Sequence, residues 1–181
     1  MRRPSKAAPK IIRIGAQQDP ALFMDDYAKS RVEDAIETAL RLLPPSLLRR
    51  FAVECAERVL PIFEAITSSD EQRPQRAIAI AKMYNDNRLT EPESSFRKLT
   101  TAQRRCRDLL TGWRAGGRDI TPAYYAAEAA CDAAHPGAFI AAKEAARSER
   151  AVVFLRNDSR AEERDRAILQ LGKARDYLRE A

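Results

Sequence analysis

The stretch Ser46–Asn85 constrains this chain most, because two amphipathic runs of helical period stand on either side of a short polar break. In the first run Leu48, Phe51, Cys55, Val59, Ile62 and Phe63 recur three or four apart and line one helix face, while Arg49, Arg50, Glu54, Glu57 and Arg58 fall elsewhere. Pro61 lies inside that pattern and cannot donate to the carbonyl of Glu57, so a kink or short break is expected there. Ser68, Ser69 and Asp70 offer capping oxygens ahead of Arg73-Pro74, and Ala77, Ile78, Ile80, Ala81 and Tyr84 carry a second stripe. The expected unit is a helical hairpin. For Glu57 and Arg58, with Arg73 and Arg76 on the facing helix, the simplest role is an ion pair that sets the geometry of the hairpin.

The flanking chain repeats the same grammar. Leu22, Phe23, Tyr27, Val32, Ile36, Ala39, Leu40 and Leu43 predict a first helix, ended by Pro44-Pro45. Thr90-Glu-Pro-Glu93 opens another, in which Phe96, Leu99, Ala102, Cys106, Leu109, Leu110 and Trp113 form the apolar stripe and Gly116-Gly117 the stop. Thr121-Pro122 starts an alanine-rich helix whose small side chains suit close packing inside a bundle. After His135-Pro136-Gly137 a further helix runs through Phe139, Ile140, Ala146 and Val152 to Asn157-Asp158. A last one, opened by Ser159-Arg-Ala-Glu162, carries Ile168, Leu171, Ala174 and Leu178. Seven helices and no run of period two predict an all-α, antiparallel multi-helix bundle over residues 21–181. The absence of a 20–50-residue repeat favours it over a solenoid. Residues 1–20, with three prolines and five basic side chains, are expected to be a flexible basic tail.

Little in the chain points to a reaction. There is no phosphate-cradling glycine loop, no HExxH and no serine elbow, and the only histidine is His135. Glu54, Glu57 and Glu64, with Asp70 beyond, share a spacing common on any charged helix. Cys131 and His135 have the i,i+4 spacing of two zinc ligands but lack two more, so neither catalytic residues, metal ligands nor a cofactor are expected. Cys55, Cys106 and Cys131 lie among apolar neighbours as free thiols, which suits a reducing cytoplasm. No stretch approaches the roughly 20 apolar residues that cross a bilayer. Thirty-two basic against 26 acidic residues steer acidic partners. Over 97–118 the cations Arg97, Lys98, Arg104, Arg105, Arg107, Arg114 and Arg118 crowd one helix, the pattern of a phosphate-contacting nucleic-acid binder. Phe96 and Trp113 fit the apolar stripe of that helix, so no stacking platform for bases is evident.

Two motifs bear on function by likeness. CAERVLPIFE (Cys55–Glu64) followed by DEQRPQRAIAIAK (Asp70–Lys82) resembles the signature region of an all-helical family of immunity proteins from bacterial polymorphic-toxin systems. A weaker echo follows in the alanine-rich run Ala123–Arg147. The resemblance implies a non-enzymatic protein that neutralises a toxin by binding it. Anchor candidates by residue type are Arg73, Arg76, Tyr84, Tyr124 and Tyr125. A nucleic-acid-binding accessory protein using the 97–118 helix, or an oligomeric scaffold built on the alanine-rich helices, are the alternatives.

Overall fold

The computed structural model describes the chain outside residues 1–19, 68–69, 87–91, 118–120 and 158–159. The basic tail up to residue 19, the Ser68, Ser69, Thr90 and Ser159 caps, Asp158 and Arg118 therefore lie outside the described residues, as do the side chains of Leu22, Phe23 and Tyr27. Among the described residues seven helices follow one another: α1 (Pro20–Arg41), α2 (Pro45–Ile66), α3 (Arg73–Asn85), α4 (Pro92–Ala115), α5 (Pro122–Ala133), α6 (Ala138–Asn157) and α7 (Arg160–Glu180).

Helix boundaries follow the proline and glycine chemistry of the chain. Five helices begin with proline as their first or second residue, where the missing N–H costs nothing and the fixed φ is already helical. At α5 the Thr121 hydroxyl accepts from the Tyr124 N–H at 3.2 Å. Past the end of α4, Gly117 takes a φ of +70°, the left-handed conformation that stops a helix without Cβ strain. Pro61 does not break α2, which is continuous from Pro45 to Ile66. Its ring faces solvent, as does Glu57, where water can satisfy the freed carbonyl.

The bundle centres on α2, α5 and α6. On one flank α1 packs against α7 and, less extensively, α6; on the other, α3 and α4 pair with each other and lean on α5, with α3 also against α2. One contiguous core draws on all seven helices. Phe51, Cys55, Val59 and Phe63 fill it from α2, and Trp113 of α4 stacks on Phe63 with ring centroids 5.6 Å apart. Ala126, Ala127, Ala129, Ala130 and Ala133 of α5 are all fully buried, so nearly the whole circumference of that helix is covered. Their small size is what lets its neighbours approach from several sides.

Two stripe assignments are corrected. Phe96 is 48% exposed and stands off the core, which α4 meets with Leu99, Ala102, Cys106, Leu109 and Leu110. On α7 the buried positions are Glu163, Ala167, Gln170, Ala174 and Tyr177, whereas Ile168 is 51% exposed; Leu171 and Leu178 are only partly buried. The face turns because its polar groups find buried partners. Gln170 Nε2 donates to Glu149 Oε2 at 2.7 Å and to the Ala146 carbonyl at 3.0 Å, and the Tyr177 hydroxyl donates to Glu54. Among the described residues no helix is long and apolar enough to cross a membrane.

Candidate functional site

The charged residues of the α2–α3 hairpin are used differently from the expected pairing. Glu57 does pin α2 to α3, but through Lys82, whose Nζ lies 2.7 Å from Glu57 Oε1. Arg58, 100° further round the helix, cannot face the same neighbour and turns to α6. There its Nε and Nη2 donate to the two carboxylate oxygens of Glu149 at 2.6 and 3.0 Å. Glu149 is fully buried and also receives Gln170, with Arg166 3.6 Å away. Arg150 continues the network to Gln170 Oε1 at 2.6 Å and to Glu33 of α1 at 3.2 Å. This cluster joins α1, α2, α6 and α7 and is structural. The carboxylates weighed for acid–base work have separate partners: Glu54 meets Tyr177, Arg50 and Lys173, Glu57 meets Lys82, and Glu64 accepts from Gln75.

With Arg58 turned away, the arginines of α3 are left for the outer surface. Arg73, Arg76 and Ile80 lie three to four apart on α3, and Arg97, Lys98, Thr101, Ala102 and Arg105 lie on the facing side of α4. Between them is a groove of about 300 Å³ with Ile80, Thr101 and Ala102 between its five cations. Arg73 is held by the Glu71 carboxylate through Nε at 2.7 Å and a second contact through Nη2. The same pairing raises the pKa of Arg73 and lowers that of Glu71. Arg76 donates to the neutral Gln72 side chain at 3.3 Å. Among the described residues no carboxylate pairs with Arg76, Arg97, Lys98 or Arg105, all of which are exposed. Unneutralised cations along a half-apolar groove focus positive potential there. Two sets of residues that sequence reasoning kept apart, Arg73 and Arg76 on one side and Arg97, Lys98 and Arg105 on the other, thus form one site.

The remaining candidates do not join it. Arg104 is exposed on α4 outside the groove lining. Arg107 is exposed on α4 and is not among the residues lining the groove. Arg114 donates to the Tyr124 hydroxyl at 2.6 Å, and Tyr124 is only 3% exposed, so it is a core residue and not a surface anchor. Tyr84 is half-buried beneath the Arg49 guanidinium, 4.6 Å from its ring centre, and Arg49 is itself tied to the His135 and Pro136 carbonyls. Tyr125 sits edge-on to Tyr124 and lines a separate cavity of about 350 Å³ between α5 and α6 with Glu128, Asp132, Glu144, Arg147 and Ser148.

That second cavity was missed in the sequence, although Glu128 and Asp132 stand one turn apart on an otherwise apolar helix. Burial, then the neighbouring Cys131 and Glu128, push Asp132 up to about 8, and burial also raises Glu128. The Ser148 hydroxyl bridges the two at 3.2 and 3.4 Å. His135 accepts from the Gly137 N–H at 3.0 Å and so fixes the turn before α6, as a capping residue. Among the described residues no group of three or more His, Cys, Asp or Glu side chains is arranged to hold a metal ion. Comparison with protein-family models, with curated proteins and with solved structures finds no match to this chain.

Proposed function

We propose that this protein is a non-enzymatic binding module that takes up an acidic segment of a partner protein in the α3/α4 groove. Acting in the cytoplasm, it neutralises that partner by occlusion in the manner of an immunity protein. The single observation that carries the reading is the groove itself, with its half-apolar lining and four exposed cations that have no carboxylate partner among the described residues. Leaving several like charges side by side costs self-repulsion that an acidic partner relieves. The net charge of +6 favours the same class of partner. The likeness of Cys55–Glu64 and Asp70–Lys82 to the immunity signature lends the toxin-directed form of the reading its support, since Arg73, Arg76 and Ile80 of the groove fall inside that signature.

Nucleic acid is the rival occupant, favoured by the exposed Arg104 beside Arg97, Lys98 and Arg105. Phe96 is an exposed aromatic, but it is not among the residues lining the groove, so a base stacked on it would lie away from the clustered charge. The deciding experiment is a tagged pull-down from the native host at low and high salt, with bound protein read by mass spectrometry and nucleic acid by absorbance at 260 nm. The reading expects one protein in fixed ratio, retained at high salt, toxic when expressed alone and harmless with this chain. Nucleic acid released by salt, with no protein partner, overturns it.

A further inference from the structure

Positive charge is not spread evenly along the α3/α4 groove. α3 ends at Asn85 and α4 begins at Pro92, and so short a connection makes the two packed helices antiparallel neighbours. Ile80, late in α3, therefore lies towards the Arg97 end of the groove, and Arg76 towards the Arg105 end. Along the axis Arg97 and Lys98 make one cationic end and Arg76 and Arg105 the other, with Ile80, Thr101 and Ala102 between them. Arg73 also stands at the second end, but Glu71 already holds it through Nε at 2.7 Å. The middle carries no charge: Ile80 is partly buried against the core and Ala102 is buried, so together they form a shallow apolar floor. On α4 the positions of Arg97, Thr101 and Arg105 follow one another at intervals of four residues, which sets the backbone stations of the two ends about 12 Å apart.

We propose that the occupant of this groove is an amphipathic helix of the partner, which sets one apolar side chain on the Ile80–Ala102 floor and a carboxylate four residues to either side on the two cationic ends. The proposal rests on the reading of the groove as the site of an acidic partner segment, and adds the pattern that segment carries. On a helix, residues i−4, i and i+4 lie close to one face and span about 12 Å, the separation of the two ends. An extended segment reaches as far with residues i−2, i and i+2, but it gains its affinity from main-chain hydrogen bonds to a sheet edge. Two α-helices wall this groove, and their backbone groups are already paired within each helix, so they offer side chains and a furrow instead. A single-stranded nucleic acid matches the pattern less well. It carries a phosphate at every link, one of which would be set on the uncharged floor, and no aromatic ring lines the groove among the described residues.

The test titrates the full-length protein into fluorescently labelled, end-capped, alanine-rich peptides of about 18 residues, long enough to hold a helix in water, and reads anisotropy. The first peptide carries Glu-xxx-Leu-xxx-Glu on one face. A second has the same composition with the leucine moved to the opposite face, and a third is the first with a proline at its centre. The first should bind about tenfold or more tightly than either of the others, the gain expected from burying one leucine on the floor. Arg105→Glu, a change at an exposed position, should lose the first peptide and regain it when one of the two glutamates is replaced by lysine. Equal binding of the first two peptides, or of the first and the proline-broken one, overturns the helical pattern and leaves an acidic segment in the groove. Binding of none of the peptides, unchanged binding of the first to Arg105→Glu, or its displacement by an equimolar oligodeoxythymidylate overturns the reading of the groove as well.

Discussion

Replacing Glu149 by glutamine isolates what the buried carboxylate contributes. Glu149 is fully buried and accepts from Arg58 at 2.6 and 3.0 Å and from Gln170 at 2.7 Å. In Glu149→Gln one acceptor oxygen becomes an NH2 group. Whichever oxygen is replaced, that group then faces an Arg58 N–H, itself a donor, and at the Oε2 position the Gln170 amide as well. Losing one partner of a buried pair costs about 3–5 kcal/mol. The Arg58 side chain is 35% exposed and can swing partly into water, which sets the expected loss at the lower end, about 3 kcal/mol. With an m-value of about 2 kcal/mol/M, the urea midpoint should fall by about 1.5 M, followed by far-UV circular dichroism. Arg58→Met should cost a comparable amount, because it strands the carboxylate. The double variant should lose well under the sum, since neither charge is then left alone. A single-variant loss below about 1 kcal/mol, or strict additivity of the two, would refute the assignment of this network as the tie between α2, α6 and α7.

Four further outcomes follow from the geometry. Arg97→Glu combined with Arg105→Glu should abolish retention of the proposed protein partner while moving Tm by less than about 1 °C, because neither side chain has a carboxylate partner among the described residues to lose; calorimetry and pull-down check both halves. Leu169→Gln on α7 should change stability by no more than about 0.5 kcal/mol, whereas Gln170→Ala should cost about 1–3 kcal/mol, the reverse of what hydrophobicity suggests; urea titration of each variant tests it. The Asp132 pKa is raised in the folded state to about 8, so between about pH 4 and 8 the folded chain holds a proton that the unfolded chain has released. Stability contributed there is full below pH 4 and is lost as pH rises through 8, so Asp132→Asn should flatten the Tm profile over that window and raise Tm at its upper end. Thr121→Ala should cost about 1 kcal/mol by leaving the Tyr124 N–H uncapped, measurable by the same urea assay.

The helix boundaries were legible because proline, threonine and glycine act locally: Thr121-Pro122 starts α5 and Gly116-Gly117 stops α4 whatever surrounds them. The core faces of α2 and α4 were legible from period alone, apart from Phe96. That of α7 was not, because its buried positions include Gln170 and a tyrosine hydroxyl whose partners, Glu149 and Glu54, are far away in the chain. The groove was half-legible in the same sense. Spacing puts Arg73 and Arg76 on one face and Arg97 and Arg105 on another, but only packing decides that the two faces adjoin. Tyr124 misled because an alanine-rich helix offers no polar face to mark which side meets water, and α5 is covered nearly all round.

The docking of α1 on α7 bears on how the chain is made. Ile36, Ala39 and Leu40 bury against elements from the far end of the sequence, and the Arg150–Glu33 contact alone spans 117 positions. At about 5–20 residues per second, a ribosome needs roughly 6–25 s to supply the partner that α1 waits for. During that interval the apolar stripe of α1 is open to chaperones and to other nascent chains, while α2 and α3 can already form their hairpin. Weakening α1 should therefore leave the finished protein less affected than its yield.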